Sequence, residues 1–282
     1  MSNYDENSES QKYWNEEGGN KWADNIDVVE GMIMSLHDML IEQIAATEGE
    51  SVLDIGCGGG ITSIKLAEQV GPTGSVLGVD VSEPILAVAK SRAEDISNLE
   101  FQHSDAATAE LGEDRFDIIT SRFGVMFFDD PVIAFANLHA ALKPSGRMTF
   151  ICWRSLEDNP WMSEPAKAAF EILPPPADAE KPDPKAPGPF SLADPEHLQS
   201  ILSLAGFSNI ELQPMNKAIS MGNLDDTIAF LMKMGPAAEV LKEANEEQKQ
   251  TVGKAMKEVM SKFISDKDVK VPSATWIVRA SK

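Results

Sequence analysis

Residues 51–60 read SVLDIGCGGG, and the fold turns on how this stretch is understood. Val52–Ile55 is a short apolar run broken only by Asp54, as in a strand buried on both faces. It opens into four glycines within the five residues 56–60. Ile61–Val70 then has the pattern of a helix, stopped by GPTG at 71–74. A strand that becomes a helix through bare backbone presents its N–H groups at the positive end of that helix. Glycines there let a ligand approach the main chain closely. In an open α/β sheet such a ligand lies at the carboxyl ends of the strands.

The spacing narrows the ligand. A dinucleotide loop, G-x-G-x-x-G, needs a glycine at its sixth position. Counting from Gly56 that position is Ile61, and from Gly58 it is Ser63, so the fingerprint fails. The pattern present is Asp54-x-Gly56-x-Gly58-x-Gly60. An acid buried beside the loop suits a ligand carrying positive charge rather than a pyrophosphate. A second acid, Asp80, ends the strand in VLGVDVS (76–82). A carboxylate at that point can accept both ribose hydroxyls of an adenosine.

Outward from this centre, strands and helices alternate. Ser75–Val79 is a second strand, and Ser82 with Pro84 starts a helix that runs to about Asp95. Residues 99–102, 116–120 and 147–153 give three more strands, with a helix opened by DDP (129–131) before the last. Apolar strands in this arrangement predict a mostly parallel sheet covered on both faces. A helix is expected over 160–172, and a stiff loop over 174–189, which holds seven prolines. Residues 194–207 form a helix capped by Asp194 and closed by Gly206, and 209–214 a sixth strand. Residues 225–264 read as helical and highly charged, and 274–280 as a last strand. Upstream, one helix is expected over about 27–46, and residues 1–25 are expected to be loosely ordered. The organisation expected is a helical lid (1–48), a core (49–153), a helix with the Pro-rich loop (154–190), a core helix and strand (191–216), a helical insertion (217–268) and a final core strand (269–282).

The chain has 282 residues and a formal charge of −21. Such a surface repels phosphate backbones and anionic lipid, and no Lys/Arg run offsets it, so neither nucleic acid nor a stable membrane association is expected. Two cysteines, Cys57 and Cys152, exclude a disulfide framework and a multi-thiolate metal site, and no metal is expected. No apolar run approaches the ~18–20 residues that cross a bilayer. The polar, acidic N-terminus has neither the basic start nor the apolar core of a signal peptide, so the expected location is cytoplasmic.

The segments VLDIGCGGG (52–60), VLGVDVS (76–82), HSDAA (103–107), FDIITSRFGVMFF (116–128) and LKPSGRMTFICWR (142–154) resemble, in order, the motifs of class I S-adenosylmethionine-dependent methyltransferases. Residues 188–212 also resemble bacterial members related to the quinone C-methyltransferases. The resemblance implies a Rossmann-like, seven-stranded sheet whose last strand is antiparallel, with helical lid and substrate insertions. It implies S-adenosylmethionine as cofactor, with Asp54, Gly56, Gly58 and Gly60 along its amino-acid and ribose part. Asp80 would take the ribose hydroxyls, Val81 would pack on adenine, and Asp105 with Ala106 would meet the adenine amino group. Ser121 and Arg122 would line the methionine end, and Phe123, Met126 and Phe127 would face the methyl group and its acceptor.

Transfer from a sulfonium needs alignment and exclusion of water. An oxygen or carbon acceptor also needs a base. His37, on a helix that covers the cofactor in this family, is the candidate. Tyr13, Trp14 and Trp22 are expected to fold over the site as a lid and shield positive charge. The expected acceptor is a small, partly apolar molecule, and the expected assembly a monomer or homodimer. Two alternatives stay open: a non-catalytic S-adenosylmethionine-binding module, and a nicotinamide-dependent oxidoreductase, which the missing third glycine disfavours. Arsenic methyltransferases share these motifs but need several substrate-binding cysteines that this chain lacks.

Overall fold

A computed structural model describes residues 9–174 and 183–282. Half of the Pro-rich stretch expected to form a stiff loop, residues 175–182, therefore lies outside the described residues.

The elements in chain order are α1 (Glu9–Asn15), α2 (Glu17–Asp24), α3 (Ile26–Met32), α4 (Met34–Ile44), β1 (Ser51–Ile55), α5 (Ile61–Val70), β2 (Ser75–Asp80), α6 (Glu83–Arg92), β3 (Leu99–His103), β4 (Phe116–Arg122), α7 (Pro131–Ala141), β5 (Leu142–Trp153), α8 (Pro160–Ile172), α9 (Pro195–Leu204), β6 (Ser208–Ser220), α10 (Leu224–Leu231), α11 (Pro236–Leu241), α12 (Glu246–Ser261), β7 (Ile264–Ser265) and β8 (Asp268–Ser281). The sheet order is β3-β2-β1-β4-β5-β8-β6, and β7 pairs only with β8. Strands β1 to β5 pair in parallel, and β8 runs antiparallel to both of its neighbours. The antiparallel last strand expected from the resemblance is present. The small additional strand β7 forms a hairpin with β8 through Asp266 and Lys267, at left-handed φ of +52° and +67°.

The order places the turn after β1 beside the point where the strand order reverses, between β1 and β4, the usual ligand crevice of such sheets. Along α4, Leu36, Leu40 and Ile44 recur every fourth residue and are fully buried against the sheet. Full burial of each stabilises by roughly 1.5–3 kcal/mol. They share one buried cluster with Val52, Leu53, Ile118 and Ile119.

Five expectations are corrected. Residues 9–24 are not loose but form α1 and α2, and the helix over 27–46 is two helices broken at Ile33. The charged helix over 225–264 is three helices, with breaks at Gly235-Pro236 and at Asn245, whose side chain and that of Gln248 cap each other's backbone. Strand β6 continues past Pro214 to Ser220, because β6 is the edge of the sheet and a missing proline N–H costs little there. Strand β8 begins at Asp268 rather than 274, so the two strands pair from Ser208–Ser281 to Ser220–Lys270. Among the described residues, no helix is long and apolar enough to cross a membrane.

Candidate active site

The glycine loop serves two purposes. A side chain at Gly56 would meet Gly124 Cα at 2.7 Å, and one at Gly60 would meet Phe101 Cζ at 2.8 Å. One at Gly59 would meet Arg92 Nη1 at 2.6 Å and Glu30 Oε1 at 2.8 Å. These three glycines let the protein pack on itself. Gly58 differs: at φ +56° its side-chain direction meets nothing within 4 Å, so bare backbone faces open space. Its N–H donates to Asp80 Oδ2 at 2.8 Å, and Asp80 Oδ1 accepts the Ser82 N–H at 2.9 Å. Burial lifts the Asp80 carboxyl above its usual range, against the pull of these two N–H groups.

Asp54 is buried beneath the loop. Its Oδ2 accepts the Ser63 hydroxyl at 2.6 Å, and its Oδ1 has no partner. Burial raises its pKa to about 7, opposed by the Ser63 hydrogen bond and the Arg122 charge. Arg122 is nearly buried, its side chain 11% exposed, and its inaccessible Nε and Nη1 are unpartnered. Its Nη2 lies 3.9 Å from Glu30 Oε1. Burial lowers its pKa, opposed by Glu30 and Asp54.

Other expected site residues divide between the crevice and the scaffold. The Ser121 hydroxyl is fully buried, donating to the Ile55 carbonyl at 2.7 Å and accepting the Gly124 N–H at 3.0 Å, so it joins the ends of β1 and β4. Asp105 Oδ1 accepts the Ala107 N–H at 2.8 Å, and its Oδ2 accepts Gln11 Nε2 at 2.9 Å. Ala106 is buried, with its carbonyl held by Asn137. The Val81 carbonyl accepts Asn15 Nδ2 at 2.8 Å, and the Ser82 hydroxyl donates to the Trp14 carbonyl at 2.6 Å. Helix α1 therefore lies across the ends of β2 and β3.

The aromatics fall into two groups. Trp14 meets Tyr13, Trp22 and Phe127 edge-on, at centroid distances of 5.3, 5.7 and 5.2 Å. Phe123 instead stacks on Trp153 at 4.2 Å, and Trp153 lies 5.2 Å from Trp161 of α8. Phe123 sits at φ +67°, a strained conformation for a bulky residue, which persists where the surroundings over-determine it. Met126 is buried, and its carbonyl accepts the Ser191 hydroxyl and the Gly188 N–H, tying the end of the Pro-rich segment to the site. His37 is buried with Nδ1 3.4 Å from Thr62 Oγ1, and burial, with Arg122 nearby, lowers its pKa to about 4.

Residues 52–146 match the methyltransferase domain family. The demethylmenaquinone methyltransferase of Staphylococcus carnosus (strain TM300) is 26% identical over 192 residues, covering 66% of this chain and 79% of that protein. These likenesses support a class I S-adenosylmethionine-dependent methyltransferase. Its fold is that of the YcgJ protein from Bacillus subtilis, with a TM-score of 0.57 at 21% identity, covering 88% of this methyltransferase and 98% of that chain. It is also that of Haemonchus contortus phosphoethanolamine N-methyltransferase 2, solved with S-adenosyl-L-methionine, with a TM-score of 0.62 at 18% identity over 98% of this chain and 60% of that one.

Several residues of the methyltransferase site were not singled out from the sequence: Gln11, Asn15, Glu30, Arg92, Trp153 and Trp161. Glu30 left a signal, an acid on the same helical face as Ile26, Ile33 and His37. The hydrogen bonds of Gln11 and Asn15 cross 94 and 66 residues and left none.

Proposed function

We propose that this enzyme holds S-adenosylmethionine along Gly58 and transfers its methyl group to a small, partly apolar acceptor. One observation carries the reading: open space over bare backbone, beside the unpartnered buried atoms of Asp54 and Arg122. Those atoms fit the cofactor. An acceptor oxygen and two guanidinium N–H donors, all cut off from water, match the ammonium and carboxylate of an α-amino acid. Asp80 would hold the ribose hydroxyls and Asp105 the adenine amino group, with Gln11 giving up its place there. The bound cofactor supplies a methyl group already activated on a sulfonium.

The remaining work belongs to the chain. Trp14, Trp22 and Phe127 exclude water and present aromatic faces to positive charge. Phe123, stacked on Trp153, and the tilted ring of Trp161 give an apolar wall for an acceptor ring. The sequence relation to demethylmenaquinone methyltransferases makes a quinol-type ring the first acceptor to try. His37 is a weak base at a pKa of about 4 and is engaged with Thr62, so we assign it the positioning of Thr62 rather than proton removal. The net charge of −21 argues against a nucleic-acid acceptor.

The test is a thermal-shift series with S-adenosylmethionine, S-adenosylhomocysteine and NAD. At 100-fold over Kd a true ligand adds about 2.7 kcal/mol, or roughly 5–10 °C in a chain of this size. Stabilisation by both adenosyl compounds, lost in Asp80→Ala, supports the reading. Stabilisation by NAD alone would overturn it. Methyl transfer is then followed with a labelled methyl group across quinol, phenol and amine acceptors.

A further inference from the structure

Glu30 is an acid buried at the site with only half of its carboxylate engaged. The residue is 6% exposed. Its Oε2 accepts Arg92 Nη1 at 2.9 Å, and the same nitrogen donates to the Gly59 carbonyl at 2.9 Å. Arg92 Nη2 also donates to Asp27 at 2.6 Å. Arg92 thus locks α3, the glycine loop and the end of α6 together and fixes one oxygen of Glu30. The other oxygen, Oε1, has no partner, stands against the bare backbone of Gly59 and lies 3.9 Å from Arg122 Nη2.

A buried carboxylate oxygen without a donor is costly, and native interiors satisfy such atoms. Arg122 does not satisfy it, because at 3.9 Å it makes no hydrogen bond and leaves its own Nε and Nη1 unpartnered. The unpartnered charged atoms around the loop are then two acid oxygens, Asp54 Oδ1 and Glu30 Oε1, and two guanidinium nitrogens. With the part-exposed Arg92 included, Asp54 and Glu30 face two bases. A ligand group of no net charge that offers several donors and an acceptor pair completes this set. An α-amino-acid zwitterion is such a group, and a nucleotide phosphate is not.

We propose that Glu30, delivered by the N-terminal helix α3, is a second acidic ligand for the ammonium of the cofactor's amino-acid end, opposite Asp54. The N-terminal segment then selects the cofactor by its amino group as well as covering it. Arg92 positions Glu30 and does not itself touch the cofactor. This inference rests on the cofactor reading above.

The test compares Glu30→Gln with the wild type by calorimetric titration of S-adenosylhomocysteine and 5′-methylthioadenosine, which keeps the adenosine and sulfur but lacks the amino acid. The expected result is a tenfold or greater loss for S-adenosylhomocysteine with 5′-methylthioadenosine unchanged. An equal loss for both ligands, or no loss for either, would overturn the proposal. Should Glu30→Gln not fold, the wild type with deamino-S-adenosylhomocysteine decides: unchanged affinity on removing the amino group sinks the idea, and a tenfold or greater loss supports it. A wild type that binds none of these ligands refutes the cofactor reading instead.

Discussion

Asp54 and His37 are both buried near Arg122, and their pKa values move in opposite directions. Asp54 rises from 3.8 to about 7, so between those values the folded chain holds a proton that the unfolded chain has released. Stability from this group falls as pH climbs through that window. His37 drops from 6.5 to about 4, so over that range the unfolded chain binds the extra proton and stability rises with pH. The two slopes offset each other between about pH 4 and 6.5. In Asp54→Asn the urea midpoint should therefore rise with pH across this range relative to wild type, and in His37→Asn it should fall. Parallel profiles in all three proteins would contradict the buried assignments. Asp54 must also be ionised to hold an ammonium, and α-amino groups lose their proton near pH 8. Cofactor affinity should peak between about pH 7 and 8, weaken toward tenfold per unit below pH 7, and lose that acidic limb in Asp54→Asn. Titration at pH 5.5, 6.5 and 7.5 reads it directly.

At the scale of elements, α1 and α2 are too short to persist alone, since isolated helices under about 12–15 residues are marginal in water. They are held by the hydrogen bonds of Gln11, Asn15 and the Trp14 carbonyl and by the ring contacts of Trp14. Trp14→Ala should free this pair without unfolding the sheet. Limited proteolysis should cut within residues 9–24 many times faster than in wild type, with Tm moving by only a few degrees. Bound S-adenosylhomocysteine should slow the cut, because the strap lies over Val81 and Asp105. None of this is legible locally: the polar composition of the first 25 residues resembles a loose tail, and the hydrogen-bond partners lie 66 or more residues away. The break at Ile33 is equally hidden, since Val29, Ile33, Leu36, Leu40 and Ile44 keep helical spacing across it. On the N-terminal side of the break, Arg92 holds Asp27 and Glu30 of α3.

For the whole molecule, the appended helices must be fixed to the sheet, and Asn159 is one joint that does so. Fully buried at the start of α8, it accepts the Ala274 N–H through Oδ1 at 2.9 Å and donates to the Ala274 and Ser155 carbonyls at 3.1 and 2.9 Å. Asn159→Leu orphans a buried backbone donor and should cost about 2–3 kcal/mol. Equilibrium unfolding in urea measures the loss, and a change below about 0.5 kcal/mol would contradict the role.

The sequence alone determined the parallel core, its crevice and the acids at the strand ends. Those features are written in short-range code: apolar runs, the glycine turn after β1, and Asp54 and Asp80 each at or one residue from the end of its strand. Only the tertiary structure decided which glycine faces open space, that Ser121 is hydrogen-bonded within the scaffold, and that Glu30 of an N-terminal helix stands against the glycine loop. Each of those depends on what another part of the chain places nearby, and periodicity and turn chemistry carry no record of a neighbour sixty residues away.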